Sequence, residues 1–200
     1  MKSFLLALLV TGLVWPWAAQ AGGILEDLDA KQVATLNAGK LVAIPTEVPG
    51  GPWPRLQVYS IINAPVRDVE AVFRDYPGAS SYIPNLVAAD ILEQPDKNTY
   101  HVRYTSSMPM VGKSSSTVRN IYSREDEVLL VRWNLIESEL AEVSTGEFRV
   151  EPYRGGSLLR YTNFVKPKSS LAVLVKFAAL GEAKQTVTAI KKEAERRGGK

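Results

Sequence analysis

The side chains best equipped for covalent or acid–base chemistry are few. The chain holds one histidine, His101, and no cysteine. Thiolate nucleophiles, disulfides and cysteine metal sites are therefore excluded. His101 alternates with Tyr100, Val102 and Tyr104. On a strand that alternation turns it to the face opposite those three, and an outward or edge histidine is favoured over a catalytic one. No nucleophile elbow, H-E-x-x-H helix, phosphate loop or dinucleotide fingerprint occurs in the sequence. The acidic runs read as solvated surface: Glu125-Asp-Glu127 as a turn, and Glu137, Glu139 and Glu142 as a loop-like stretch. No inward cluster of His or carboxylate has metal-ligand spacing, and nothing calls for a cofactor. What remains is the chemistry of non-covalent binding by large apolar and aromatic side chains.

Those side chains fall on one face of several strands. Tyr100, Val102 and Tyr104 oppose Arg103; Val131, Trp133 and Leu135 oppose Arg132 and Asn134. Gly146, Phe148 and Val150 oppose Glu147 and Arg149, while Leu159, Tyr161, Asn163 and Val165 oppose Arg160 and Thr162. Trp133, Phe148 and Tyr161 serve either as plain core or as the wall of a site. Asn163 is the unusual member, because an inward amide left without a partner costs about 1–3 kcal/mol. It bonds a buried water or a neighbouring tyrosine, or it meets the polar head of an otherwise apolar ligand. Met108 and Met110 flank Pro109 at a hairpin and suit either an adaptable rim or ordinary gap filling. In the C-terminal segment Val173, Phe177 and Leu180 follow a 4, 3 spacing, a row set at an angle to the stripe Ala183, Val187, Ile190 and Ala194. The candidate ligand-binding set is thus Tyr104, Met108, Trp133, Phe148, Tyr161, Asn163, Val173, Phe177 and Leu180.

The elements that must position these residues are legible in order. Lys2, the apolar run Phe4–Val14 and Ala19-Gln-Ala21 form a cleavable export signal over 1–21. The apolar run is shorter than the roughly 20 residues a membrane span needs. Residues 22–200 then suit one domain, with 22–54 as an N-terminal helix–strand extension and linker. A helix is expected near Asp27–Ala38, strands at Lys40–Ile44 and Arg55–Ile62, a helix after Asn63-Ala-Pro65, and a second short helix over Ser80–Leu86. Period-two runs with short turns place strands near 87–94, 98–107, 113–123, 127–137, 143–152 and 157–166, an antiparallel meander. A long helix, Ser169 to Arg197, closes the chain. Its first half, Leu171–Leu180, is apolar nearly all round and needs covering on every side. With 46% hydrophobic residues, 22% charged and a net charge of +3, the chain is a foldable globular protein with no basic stripe for nucleic acid.

The order strand, helix pair, six-stranded meander and long C-terminal helix is similar to the α+β helix-grip fold of the START and polyketide-cyclase superfamily. The local sequence agrees: Ile62-Asn-Ala-Pro-Val-Arg-Asp-Val-Glu-Ala-Val-Phe-Arg-Asp-Tyr76, Tyr82-Ile-Pro-Asn85, and Gly146-Glu-Phe-Arg-Val-Glu-Pro152 followed by Leu159-Arg-Tyr161 resemble its opening, short-helix and last-hairpin motifs. The resemblance spans roughly 55–195, nearest the polyketide cyclase/dehydrase and coenzyme Q-binding branch. It implies a curved antiparallel sheet around the final helix, and an apolar small molecule such as a lipid, quinone or sterol-like compound held between them. The expectation is an exported, non-catalytic binder or carrier, periplasmic in a Gram-negative host, with transient membrane contact and no nucleic-acid partner. A cyclase/aromatase-like enzyme, working by positioning a polyketide-type substrate, and an envelope interaction module without a ligand are the alternatives.

Overall fold

The computed structural model describes residues 23–51, 53–108, 112–168 and 176–199. The segment read as an export signal, Pro109 and Met110 of the hairpin, the Ser169-Ser170 helix start and Val173 lie outside the described residues, as do the side chains of Met108, Phe177 and Leu180.

Eight strands make one antiparallel sheet: β1 Val42–Thr46, β2 Arg55–Ile62, β3 Leu86–Asp96, β4 Thr99–Met108, β5 Gly112–Glu125, β6 Val128–Ser138, β7 Ala141–Tyr153 and β8 Gly156–Pro167. Their order is β1-β2-β8-β7-β6-β5-β4-β3, so the meander β3 to β8 runs in sequence and returns to lie beside β2. The open sheet curves around α3 (Lys176–Gly198), giving an α+β helix-grip fold. The meander follows from hairpin turns that tolerate left-handed backbone. Asp126 has φ 54° between β5 and β6; Arg154 (48°) and Gly155 (80°) join β7 to β8.

Ala183, Val187, Ile190 and Ala194 of α3 are buried against the concave face, Val187 and Ala194 completely. They pack with α2 (Val66–Arg74), whose buried Val66, Val69 and Val72, at 3, 3 spacing, form its inward face. Polar clasps hold this end. Arg197 donates to Asp75 at 2.6 Å and to Glu193 at 2.7 Å, Lys191 donates to the Ile61 carbonyl at 2.5 Å, and the Asn63 amide donates to Glu195 at 2.9 Å.

Two readings of the sequence are corrected. The short helix expected over Ser80–Leu86 is a single 3-10 turn, Ala79–Ser81. Pro84 disfavours helical backbone at Ile83, Asn85 turns the chain at φ 63°, and Leu86 already pairs with Ser106 in β3. Glu137 and Glu142 are not in a loop: β6 runs to Ser138 and β7 starts at Ala141, leaving only Glu139 and Leu140 between them.

The convex face is covered at the β1–β2–β8–β7 side by the N-terminal extension. Asp29 and Gln32 form a capping box on α1 (Ala30–Asn37), and Gly39, at φ 77°, ends it. A preceding 3-10 turn, Ile24–Asp27, escaped the sequence reading. Ile24, Leu36, Val42, Tyr59 and Leu158 form this second core. Beneath it Arg160 donates to Asp27 at 2.6 Å and to Glu147 at 3.2 Å, and Arg132 donates to Glu147 at 2.8 Å. Paired charges of alternating sign make their burial tolerable. Among the described residues no helix is long and apolar enough to cross a membrane.

Candidate functional site

Strand register builds the site. Trp133 on β6, Gly146 on β7, Asn163 on β8 and Leu56 on β2 are cross-strand partners in one rung; Val131, Phe148, Tyr161 and Val58 form the next. Side chains on successive rungs of one face touch, so the aromatic residues of both rungs merge into one surface. Trp133 and Tyr161 stack at 5.6 Å with their planes 18° apart, Phe148 lies 5.4 Å from Trp133 and 4.9 Å from Tyr161, and Phe73 of α2 closes on Phe148 at 4.6 Å. Gly146 is what lets the Trp133 ring cross β7. A Cβ there would collide with that ring and with the Thr162 carbonyl.

Beside this surface lies a tyrosine cluster whose polar atoms are satisfied. Tyr122 donates to the Phe73 carbonyl at 2.9 Å, which leaves the Tyr76 hydroxyl to donate to Tyr122 at 2.8 Å. Asn120 donates to the Tyr104 hydroxyl at 3.2 Å, and Arg74 lies over the Tyr122 ring at 4.1 Å while donating to the Tyr100 hydroxyl at 3.1 Å. Burial pushes the Tyr76, Tyr104 and Tyr122 phenols far up, so all three stay neutral hydrogen-bonding groups. Tyr82, raised to about 12 by burial, donates to the Val72 carbonyl at 3.1 Å and pins the 3-10 turn to α2.

Tyr161 and Asn163 differ from that cluster. Both are half-buried on the concave face, and neither side chain is hydrogen-bonded to any described residue. The Tyr161 phenol is pushed up by burial and then by the Glu182 carboxylate of α3. Glu182 in turn accepts from the Asn85 amide at 3.1 Å. At Gly181, one residue before it, an added Cβ would meet nothing among the described residues. The described residues therefore give an aromatic floor on the concave face with two polar groups, Tyr161 Oη and the Asn163 amide, that bond no other described residue.

Of the candidate residues, the structure brings Trp133, Phe148, Tyr161 and Asn163 into this surface, and places Tyr104 across from them on β4. Met108 is the last residue of β4, paired with Gly112, and its side chain falls outside the described residues. Phe177 and Leu180 stand in the first turns of α3; Lys184, which continues their row, is exposed and lines an outer groove with Tyr82, Pro84 and Lys192. That groove, of about 450 Å³, lies outside the grip rather than between sheet and helix. His101 is on the convex side, where Nδ1 lies 2.8 Å from Glu93 and Nε2 accepts from Arg119 at 3.2 Å.

Sequence reasoning missed Phe73, Tyr76, Asn120, Tyr122 and Glu182. The alternation Val118, Asn120, Tyr122 marks the concave face of β5 by the same rule that identified its neighbours. Glu182 carries no local signal, since one acid on a helix resembles any solvated position.

The comparisons with known proteins agree with this architecture. The family described as "Polyketide cyclase / dehydrase and lipid transport" matches residues 55–195. Among solved structures, a STAR-related lipid transfer protein fragment from Xanthomonas axonopodis superposes with TM-score 0.70 at 16% identity, over 84% of this chain and 96% of that one. The Zhui aromatase/cyclase of Streptomyces sp. R1128 gives 0.62 at 18% identity over 72% and 94%, and human StAR-related lipid transfer protein 5 gives 0.66 at 12% over 78% and 82%. At these identities the structures speak for the fold alone. No curated protein matches the sequence. With some seven-tenths of its length matched and a helix-grip sheet around its last helix, the chain belongs to the polyketide cyclase/dehydrase and lipid transport family.

Proposed function

We propose that this protein is an exported, non-catalytic carrier that holds a hydrophobic small molecule between the sheet and α3, of the lipid, quinone or sterol-like kind. The observation that carries the reading is the aromatic floor of buried Trp133 and half-buried Phe148 and Tyr161, with a Tyr161 hydroxyl and an Asn163 amide that bond no other described residue. A floor serving only as core would be expected to close over those polar groups or to satisfy them, as the same sheet does for Tyr76 and Tyr122. The family and the fold fit hydrophobic ligand binding, and two of the structures quoted above are lipid transfer proteins by name. The location of His101, on the convex face and engaged by Glu93 and Arg119, supports binding over acid–base catalysis. Export rests on the N-terminal signal pattern.

Purification from its native host without detergent, followed by extraction and mass spectrometry, tests the carrier reading. A stoichiometric apolar compound is the expected result. Turnover of a cyclisable aromatic substrate by the purified protein overturns it in favour of the cyclase. Absence of any bound compound, together with failure to bind an uncharged fluorescent probe such as N-phenyl-1-naphthylamine, overturns it in favour of an interaction module. Fractionation of cells into periplasm and cytoplasm checks export.

A further inference from the structure

The face of α3 turned away from the sheet carries a ridge of cations. Lys184, Thr188, Lys192 and Arg196 recur at a spacing of four, on the side opposite the buried stripe Ala183, Val187, Ile190 and Ala194. Lys184, Lys192 and Arg196 are exposed, and they span about 18 Å of helix. The ammonium groups of Lys184 and Lys192 bond no described residue. On the flank of the same helix, by contrast, Lys191 is paired with Glu195, and Arg197 with Glu193 and Asp75. Among the described residues lining the outer groove beside the ridge, the one acid is Glu193, which is buried and already answered by Arg196 and Arg197. The ridge therefore presents positive charge that the protein itself does not neutralise. A specific protein interface is centred on a desolvated aromatic or arginine anchor. Here the one aromatic ring of the groove, Tyr82, is committed to the Val72 carbonyl, and the free cations are solvated lysines set out along a line. That arrangement suits a plane of many equivalent negative groups.

We propose that this ridge is a docking surface for an anionic phospholipid bilayer, held by Lys184, Lys192 and Arg196, with exposed Pro84 of the opposite groove wall beside them. Its purpose rests on the carrier reading: an apolar cargo is drawn from a bilayer or given to one. Docking by this face sets α3, the element that the sheet curves around, directly against that bilayer.

The test is sedimentation of the full-length mature protein with vesicles of phosphatidylcholine alone and of phosphatidylcholine mixed with phosphatidylglycerol. Wild-type protein is expected to bind the anionic vesicles at least about tenfold tighter, and to lose that advantage in high salt. The double variant Lys184→Gln/Lys192→Gln is expected to weaken anionic-vesicle binding by about tenfold or more. Lys31→Gln/Lys40→Gln removes the same net charge from exposed positions of the N-terminal extension, and is expected to leave binding unchanged. Equal binding to the two kinds of vesicle, or an equal loss in the two double variants, overturns the docking surface. Displacement from the vesicles by millimolar inorganic phosphate reassigns the ridge to a small free anion, and binding of polyglutamate without binding of vesicles reassigns it to an acidic protein; either result overturns the proposal. N-phenyl-1-naphthylamine affinity is expected to be the same in both double variants as in the wild type. Failure of that probe to bind overturns the carrier reading, whereas vesicle binding reports on the ridge alone.

Discussion

The two ends of the grip are built from the same sheet and the same helix, yet they are finished differently. At the end formed by α2, the C-terminal half of α3 and the rung Val150–Leu159, packing is complete: Val69, Val150, Leu159, Val187 and Ala194 are all at 0% exposure. A Cβ on Gly198 would press against Ala64 and the Asp68 carboxylate. Three charged side chains of α3 tie this end to its neighbours through Asp75, the Ile61 carbonyl and the Asn63 amide. Towards Gly181 the same concave face carries half-buried Phe148, Tyr161, Asn163 and Val165. One end spends apolar surface on stability; the other keeps it in reserve. The lesson is that two halves of one continuous core can be closed to different degrees, because each rung of the sheet packs mainly against the rungs beside it.

The contrast breaks most visibly at Leu159. Leu159→Ala is expected to cost about 2–5 kcal/mol in urea unfolding, with the midpoint falling and probe affinity unchanged. A comparable loss of probe binding would show that the two ends are not separable. Gly146 lies on the boundary. Gly146→Ala drives a methyl into the Trp133 ring and β8 backbone, and is expected to cost about 1–3 kcal/mol and to lower probe affinity as well. At the open end the effects reverse. Tyr161→Phe and Asn163→Ala are expected to change stability by less than about 0.5 kcal/mol, since neither group bonds a described residue, while weakening a hydroxylated ligand measurably in calorimetry. A large stability loss in either would reassign them to the packed core.

The smallest effect concerns acid. Glu193 is held down to about 2 by Arg196, and, against the cost of desolvation, by Arg197. Its folded value lies below the ordinary carboxylate value of about 4.3. The stabilisation it provides is therefore fully present above that value and is lost as pH falls from there towards about 2. Unfolding midpoints of the wild type and Glu193→Gln are expected to converge over that window. Parallel curves would show that the clasp contributes nothing to the closed end.

The strands were legible because each reports its own geometry. Alternation such as Leu159, Tyr161, Asn163 against Arg160 and Thr162 is a local pattern, and β2 was read to the residue. The aromatic floor was legible for the same reason. What stayed hidden depends on distant partners. Ser80–Leu86 contains residues suited to a short helix, but Pro84 and the left-handed Asn85 divert the chain into β3. The Glu137–Glu142 stretch lacks alternation, yet strand pairing of Ser138 with Ser116 and of Ala141 with Pro167 extends the ladder through its ends. Glu182 accepts its hydrogen bond from Asn85, almost a hundred residues away in sequence. The Asp27–Arg160–Glu147–Arg132 network likewise joins residues from the first turn, β8, β7 and β6, and no pattern along the chain announces it.

The return of β8 to lie beside β2 has a consequence in time. Leu56 pairs with Asn163 and Val58 with Tyr161, across about a hundred residues of intervening chain. The meander from β3 to β7 closes through short hairpins, whereas this one pairing must wait for the chain ends to meet, which makes it a slow step of folding. A ribosome emits Leu56 long before Asn163, and α3 later still. The wall that carries Tyr161 and Asn163 thus joins its neighbour only when synthesis of the sheet is nearly complete, and the last strand made closes the two halves of the chain into one core.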